Sequence, residues 1–329
     1  MWEDTPFEKS MKAALRKTGQ DGELLIGRYV KAKTTLTGDV YEEIKKKEPN
    51  LSDHGPRHIR NVLENIGQLL GDEVKLFTAH ELYCLGMVAL FHDVGNIYGR
   101  KLHNEKIKDI YVHACGDDDK TEMRMVILAA RAHTGEASDG TKDTLKDLDE
   151  KFYFRSQVRL KEIAAVLRLA DELAEGPQRT SRFVLQTMGY DEASNIYHRY
   201  GSSVEVNIDR QGRRLALSYN IQVCGNEALE DRHLEATKEL LNFAYARMVK
   251  LDQERKYCKF YGQRLLAPYI MTSAKFFFWT GVEEHECDLP TIVIDDKVIP
   301  GEGARGVVEL YPMFDVESIT KMLATRGNG

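Results

Sequence analysis

Residues 85–103 read LGMVALFHDVGNIYGRKLH, and this stretch decides how the rest of the chain is interpreted. The run Leu85–Phe91 is apolar apart from Gly86, and it leads directly into His92 and Asp93. An imidazole and a carboxylate side by side at the end of a buried helix are costly to bury unless something binds them. A metal ion is the obvious partner. The stretch therefore predicts a metal site whose other ligands lie elsewhere in the chain.

Length and composition are those of a globular protein. The chain has 329 residues, of which 42% are hydrophobic and 30% charged, enough for one large or two ordinary domains. The net charge of −6 argues against a surface built to bind long nucleic acid. The five cysteines are scattered without a C-x-x-C pair, which favours a reducing compartment. With no signal peptide and no apolar run near the roughly 20 residues of a membrane span, we expect a cytoplasmic protein without membrane contact.

The first half of the chain shows the three-to-four-residue apolar spacing of amphipathic helices. Residues 6–47 predict two or three short helices, and Pro56 and Gly71 mark the start and end of the next one. Further helices are predicted at 78–91, 102–114, 120–131 and 157–175. A polar loop at 134–146 is long enough to cover a site.

Beyond about residue 183 the pattern changes. SVEVNID and RRLALSYNIQV, around the turn at 210–212, predict a hairpin, and 227–256 predicts a long helix. Strands are predicted in KFFFWTGV, PTIVIDD, KVI and RGVVELY, with a helix at 315–326. We therefore expect a mainly α protein: a helical domain at 1–182, with the N-terminal helices of 1–50 packed on it, then a smaller α/β domain of unknown role at 183–329.

Polar residues at otherwise apolar helix positions or helix ends supply the missing ligands. They are four histidines and two aspartates: His58, His92, Asp93, His103, His133 and Asp171. Imidazole and carboxylate groups suit divalent metals such as Mn, Fe, Mg, Ni or Zn. Six protein ligands are too many for one catalytic ion that keeps an open position, so they favour two ions that share a carboxylate.

The order H…HD…H…H…D resembles the HD superfamily of metal-dependent phosphohydrolases. The segments that carry the resemblance are HIRNV (58–62), LFHDVG (90–95), LHNEKI (102–107), RAHTG (131–135) and LRLADELAEGPQR (167–179). The resemblance covers about residues 50–182 and implies an all-helical HD domain. It implies that a first metal is held by His58, His92, Asp93 and Asp171. A second metal would share Asp93 and add His103 and His133, as in the two-metal branch.

One position departs from the family pattern. Many members carry a lysine directly after the HD-x-G turn, where it meets substrate phosphate, but here that residue is Asn96. Arg100 or Lys101 is a candidate replacement.

Other candidate contacts for substrate phosphate are arginines near the proposed ligands: Arg57, Arg131 and Arg179. Arg179 is preferred because the family motif often has arginine there. Asp93 and His54 are the catalytic candidates. His54 would deliver a proton to the leaving group; its alternative role is to cap the helix or to support a metal ligand.

The resemblance favours hydrolysis of a phosphodiester or phosphoanhydride bond in a small nucleotide by a metal-activated water. A cyclic or dinucleotide signalling molecule is the typical substrate of this branch. A nuclease for single strands is the nearest alternative, which the acidic charge disfavours. The same ligand order also resembles di-iron oxygenases of the inositol-oxygenase kind. A non-catalytic nucleotide-binding module is a third class, and retention of all six ligand types argues against it. A homo-oligomer is left open.

Overall fold

The computed structural model describes residues 2–47, 54–99, 102–153, 156–225, 228–297, 300–301, 303 and 305–326. Within them the chain is mainly α with a small sheet in its C-terminal part, which confirms the predicted fold class. The chain divides into two compact units, Met1–Ala174 with Tyr257–Ala267, and Glu175–Lys256 with Pro268–Gly329. The predicted domain boundary at residue 182 stays a prediction, because compactness does not establish that either part folds alone.

Helices build most of the first unit. They are α1 (Pro6–Arg16), α2 (Gln20–Leu36) followed by a π-helical turn (Thr37–Tyr41), α3 (Glu42–Lys47), α4 (Pro56–Leu70), α5 (Ala79–Phe91), α6 (Ile107–Cys115), α7 (Lys120–Arg131) and α8 (Leu160–Glu172). An antiparallel hairpin, β1 (Lys151–Tyr153) and β2 (Ser156–Val158), lies before α8. The sequence patterns did not predict this hairpin, and it shortens α8 at its start.

Helix α5 is the centre of the first unit. The hydroxyl of Thr78 accepts the N–H of Glu81 at 3.2 Å, and the Glu81 carboxylate accepts the N–H of Thr78 at 2.8 Å. This reciprocal cap starts the helix. Every residue from Glu81 to Phe91 is buried, and α5 packs against α1, α2, α4, α7 and α8. The end of α5 is therefore enclosed by helices, which places His92 and Asp93 inside the unit.

The helix predicted at 102–114 begins later than expected. Residues 102–106 form turns, in which the N–H of Lys106 donates a hydrogen bond to the carbonyl of Leu102 at 3.1 Å. Helix α6 starts only at Ile107. His103 therefore lies on a turn between helices. The prediction that it stands at the start of a helix is wrong.

The second unit combines helices with one sheet. Its elements are α9 (Arg182–Thr187), α10 (Glu192–Ser203), β3 (Val204–Asp209), β4 (Arg214–Cys224), α11 (Asp231–Leu266), β5 (Met271–Thr280), β6 (Glu283–His285), β7 (Ile292–Asp295), α12 (Val307–Leu310) and α13 (Val316–Arg326). Helix α11 belongs to this unit as far as Lys256, and helical geometry breaks at Gln263, where φ is 44°. The sequence patterns did not predict α9, α10 or β6.

The sheet has the order β3-β4-β5-β6, and β7 also pairs with β5. The β3–β4 hairpin is confirmed, with Val204 opposite Tyr219. Strands β4 and β5 are parallel, and the chain passes between them through α11. The covered face of the sheet carries aromatic side chains, with Tyr219 and Phe276 stacked at a centroid distance of 4.5 Å.

Two of the predicted C-terminal strands need comment. RGVVELY (305–311) is not a strand: its centre forms α12. Two β-branched valines favour a strand locally, but the Glu309 carboxylate accepts the N–H of Gly306 at 3.4 Å and so stabilises a helical turn. KVI (297–299) lies outside the described residues after Lys297.

No helix in the described part of the chain is both long enough and apolar enough to cross a membrane.

A buried carboxylate connects five elements of the first unit. Glu122 is 1% exposed, and its oxygens accept hydroxyl hydrogen bonds from Tyr83 at 3.0 Å, Tyr111 at 2.5 Å and Tyr153 at 2.5 Å. The guanidinium of Arg28 lies 3.2 Å away. These partners come from α5, α6, β1 and α2. A carboxylate can be buried at this depth because hydrogen bonds and a countercharge replace its water.

We expect Glu122→Gln to lower the free energy of unfolding of the first unit by about 3 kcal/mol, because the amide removes an acceptor and leaves Arg28 with the more distant Asp119 carboxylate, at 3.6 Å, as its countercharge. Urea denaturation followed by circular dichroism measures the change. Glu136→Gln is the matched control, since Glu136 is 60% exposed and its pairing with Lys142 should contribute less than about 1 kcal/mol. Equal losses in the two variants would contradict a structural role for Glu122.

Candidate metal centre

Three helix ends bring four of the predicted ligands together. His58 lies in the first turn of α4, which Pro56 begins; His92 and Asp93 follow the last residue of α5; Asp171 lies in the last turn of α8. Asn65 of α4 donates from its side-chain amide to the carbonyl of Ala170 at 3.0 Å, next to Asp171. This buried hydrogen bond holds α4 and α8 in the register that the cluster needs.

The distances within the cluster match those between ligands of one ion. His58 Nε2 lies 3.2 Å from Asp171 Oδ1 and 3.4 Å from Asp93 Oδ2, and His92 Nε2 lies 3.6 Å and 3.4 Å from the same two oxygens. Atoms bound at about 2.1 Å to one tetrahedral or octahedral ion lie about 3.0–3.4 Å apart. These four residues, as a group, could hold a metal ion.

The histidine rings are oriented as ligands. His92 Nδ1 lies 2.9 Å from the carbonyl of Ala89, and His133 Nδ1 lies 2.5 Å from the carbonyl of Ala130. A carbonyl only accepts, so in each neutral ring Nδ1 carries the proton and Nε2 keeps its lone pair. His92 Nε2 and both ring nitrogens of His58 are buried without a hydrogen-bond partner of good geometry among the described atoms. Buried nitrogens of this kind fit a metal, whose ligands are commonly oriented by such backbone contacts.

A second group shares Asp93. His133 Nε2 lies 3.6 Å from Asp93 Oδ1, whereas His58 and His92 face Oδ2. Asp93, His103 and His133 offer ligand atoms that all lie within 4.8 Å of one another. The two oxygens of one carboxylate thus face different imidazoles. Asp93 could therefore bind two metal ions, one through each oxygen.

The turn that carries His103 depends on Gly95 and Arg131. A Cβ atom at Gly95 would come within 1.7 Å of the His103 carbonyl oxygen, so only glycine lets the two backbones approach this closely. Arg131 donates to the carbonyl of Asn104 at 2.7 Å and to that of Glu105 at 3.1 Å, which fixes the same turn to α7. Arg131 therefore has a structural role at the site.

The close contacts within the cluster shift the pKa values of His92, Asp93 and Asp171. Burial alone would raise the pKa of Asp93, but the charges of His92 and His54 and hydrogen bonds from imidazoles hold it well below its usual range. The imidazoles of His58 and His92, which lie 3.2 Å and 3.6 Å from Asp171 Oδ1, likewise hold the pKa of Asp171 well below its usual range, against burial. Burial opposes protonation of His92, but Asp93 and Asp171 raise its pKa well above the usual range. Without a metal, a proton is therefore retained between His92 and the carboxylates.

The remaining predicted site residues fall in different places. His54 joins the cluster, with Nδ1 3.0 Å from Asp93 Oδ2. Arg57 is exposed in the first turn of α4. Arg179 belongs to the second unit, where its guanidinium lies 3.4 Å from Glu175. Arg100 and Lys101 lie outside the described residues.

Sequence reasoning missed the supporting residues, Asn65 and Gly95. Asn65 follows His58 by seven residues, two helical turns, so a polar side chain on the buried face of α4 was a usable signal. Gly95 carried no comparable signal, because the backbone that it approaches is not adjacent in the chain.

A family model described as HD-CE matches residues 48–250, more than half of the 329 residues. The chain belongs to the HD-CE family. The match contains all six candidate ligands and continues past the predicted domain boundary into α11. Neither a search of curated proteins nor one of solved structures returned a match. Membership of HD-CE and the buried histidine-aspartate cluster together point to a metal-dependent HD hydrolase.

We expect the affinity of this HD-CE protein for a divalent metal to rise with pH. Because the carboxylates raise the pKa of His92 above its ordinary value of 6.5, a metal must displace a proton there, and it displaces more protons at lower pH. Titration calorimetry with Mn²⁺ at about pH 6 and about pH 8, in buffers of different ionisation enthalpy, measures both affinity and proton release. Equal affinity at both values with no proton released would contradict a metal at His92.

Proposed function

We propose that the chain is a phosphohydrolase that cleaves a phosphodiester or phosphoanhydride bond in a nucleotide with the help of two divalent metal ions. The observation that supports it most is that the two oxygens of Asp93 have different neighbours: Oδ2 faces His58 and His92, and Oδ1 faces His133. Two ions that share one carboxylate suit displacement at phosphorus, in which an entering and a leaving oxygen must both be stabilised.

In this proposal the two ions share Asp93. The first ion would also be held by His58, His92 and Asp171, and the second by His103 and His133. When bound, ions of this kind lower the pKa of water toward neutrality and neutralise charge on phosphate oxygens. Mn, Fe, Mg, Ni and Zn are the candidates. The protein supplies a buried cluster that orients them.

His54 is the residue that we propose to hold the proton for the leaving group. Its side chain is 17% exposed, whereas those of His58 and His92 are 0% exposed, so His54 lies on the solvent side of the cluster. With Nδ1 donating to Asp93 Oδ2, the ring is fixed in orientation and Nε2 is its second protonation site. A histidine so placed suits general acid catalysis.

A small nucleotide, cyclic or dinucleotide, is the substrate class that we favour. The net charge of −6 disfavours long nucleic acid, and only local basic groups are needed for a short substrate. Of the proposed phosphate contacts, Arg57 is exposed one residue before His58. Arg131 and Arg179 remain proposals, since both guanidinium groups already contact protein oxygens. The structure shows no disulfide among the described residues, and a cytoplasmic location is part of the proposal.

The test is a panel of cyclic, dinucleotide and dinucleoside-polyphosphate substrates with Mn²⁺, scored by chromatography of the products. We expect turnover that chelation abolishes. Asp93→Asn should lose both metal and activity, because the bridging charge is removed. His54→Gln should keep its metal and lose about 10²–10⁴-fold in kcat.

His113→Gln is the matched control for His54→Gln, because His113 is 57% exposed and pairs only with Asp39 at 3.1 Å in the described structure. Its activity should equal that of the wild type. Oxygen consumption with iron, degradation of single strands without nucleotide turnover, or nucleotide binding without turnover would each contradict the proposal. They would favour an oxygenase, a nuclease and a binding module, respectively.

A further inference from the structure

The second unit contains a cleft of about 800 Å³ that has no residue in common with the metal centre. Its walls come from α9, α10, the start of α11, and strands β3, β4 and β5. Its volume lies within the range of about 300–1,000 Å³ that small-molecule sites occupy. All the residues that line it belong to one unit, so the cleft is a feature of that unit alone.

The cleft lies where the parallel strands end. It includes Gln222 and Cys224 at the end of β4, and Trp279 and Gly281 at and just after the end of β5. The Gln222 amide of β4 and the Trp279 indole of β5 therefore meet near the carboxyl ends of the two strands. Ligands of α/β units are commonly bound outside the carboxyl ends of parallel strands, because the chain leaves the sheet there and opens a crevice.

Positive charge predominates in the cleft. Among Asp, Glu, Lys and Arg residues, those that line the cleft are Arg182, Arg199 and Glu205. Arg182 is exposed and makes no hydrogen bond or ion pair through its side chain with other described residues. Arg199 donates to the carbonyl of Ala236 at 2.7 Å, and its nearest carboxylate, on the well-exposed Glu239, is 3.5 Å away. Burial lowers the pKa of Arg199, against the weak attraction of Glu239. Arg182, which pairs with no described carboxylate, and Arg199, whose ion pair with Glu239 spans 3.5 Å, together suit an anion.

An aromatic surface lies at the same place. Trp279 is half-buried, lines the cleft, and has no aromatic partner in the part of the chain that the structure describes. Gln222 stands opposite Trp279 in the register of the parallel strands and donates to its carbonyl at 3.3 Å. Asn195 and Asn220 add side-chain amides with both donors and acceptors. An indole face beside amides is suited to a flat ring with polar edges.

We propose that this cleft is a second ligand site that binds a phosphorylated nucleoside. Arg182 and Arg199 would contact the phosphate, Trp279 would stack on the base, and Asn195 and Asn220 would hydrogen-bond to its edge. The site is distinct from the metal centre and does not depend on the activity proposed for it.

Fluorescence of Trp279 tests the proposal, because Trp2 and Trp279 are the two tryptophans of the chain. In the full-length Trp2→Phe variant, with chelator present, we would titrate AMP, GMP, CMP and UMP and measure emission and heat. At least one nucleotide should quench Trp279 in a saturable way. Ribose 5-phosphate lacks the base, and the matching nucleoside lacks the phosphate. Each should bind at least about tenfold more weakly than the nucleotide.

Arg182→Gln in the same background should weaken nucleotide binding about tenfold or more and leave any phosphohydrolase activity unchanged. Arg232→Gln is the matched control: Arg232 is 69% exposed, pairs with Glu230 at 2.8 Å and is not part of the cleft wall. Its affinity should equal that of the parent. The proposal is overturned if none of the nucleotides binds, if heat appears without a change in Trp279 emission, or if Arg182→Gln and Arg232→Gln bind alike.

Discussion

The first unit depends on one buried carboxylate whose two oxygens face different imidazoles. Asp93 is 6% exposed and lies within 3.6 Å of ring nitrogens of His54, His58, His92 and His133. A carboxylate at this depth is stable only if positive charge or hydrogen bonds replace its water. The helices that end here, α5 and α7, and the first turn of α4 are therefore constrained together. A metal centre that draws on five separate segments needs that constraint.

Backbone contacts make the constraint specific. The carbonyls of Ala89 and Ala130 orient His92 and His133, so the last turns of α5 and α7 themselves determine which ring nitrogen faces the cluster. The hydrogen bond from Asn65 sets α8 against α4, and Gly95 admits the His103 backbone. None of these groups needs to touch a metal to affect it. Changes at such positions alter the orientation of ligands, which is how supporting residues commonly tune metal sites.

The helices could be predicted from the sequence because they combine strong local signals. Pro56 and Gly71 bound α4, and an apolar run defines α5, so the candidate ligands could be found from polar residues that interrupt apolar faces. The turn at His103 could not be predicted, because it depends on the close approach of Gly95 and on Arg131, neither of which is adjacent in sequence. The cluster at Glu122 and the cleft beside Trp279 likewise arise from long-range packing. The centre of RGVVELY forms a helical turn against its local β-branched preference, and the hydrogen bond between Gly306 and Glu309 stabilises that turn.

The central claim is that Asp93 is shared by two metal sites, and metal content per chain tests it most directly. Plasma mass spectrometry on protein loaded with Mn²⁺ and freed of excess metal should give two ions per chain for the wild type, one for each group. In Gly95→Ala the new Cβ would displace the His103 backbone, so the second group should fail and one ion should remain. One ion in the wild type, or two in both proteins, would contradict the account.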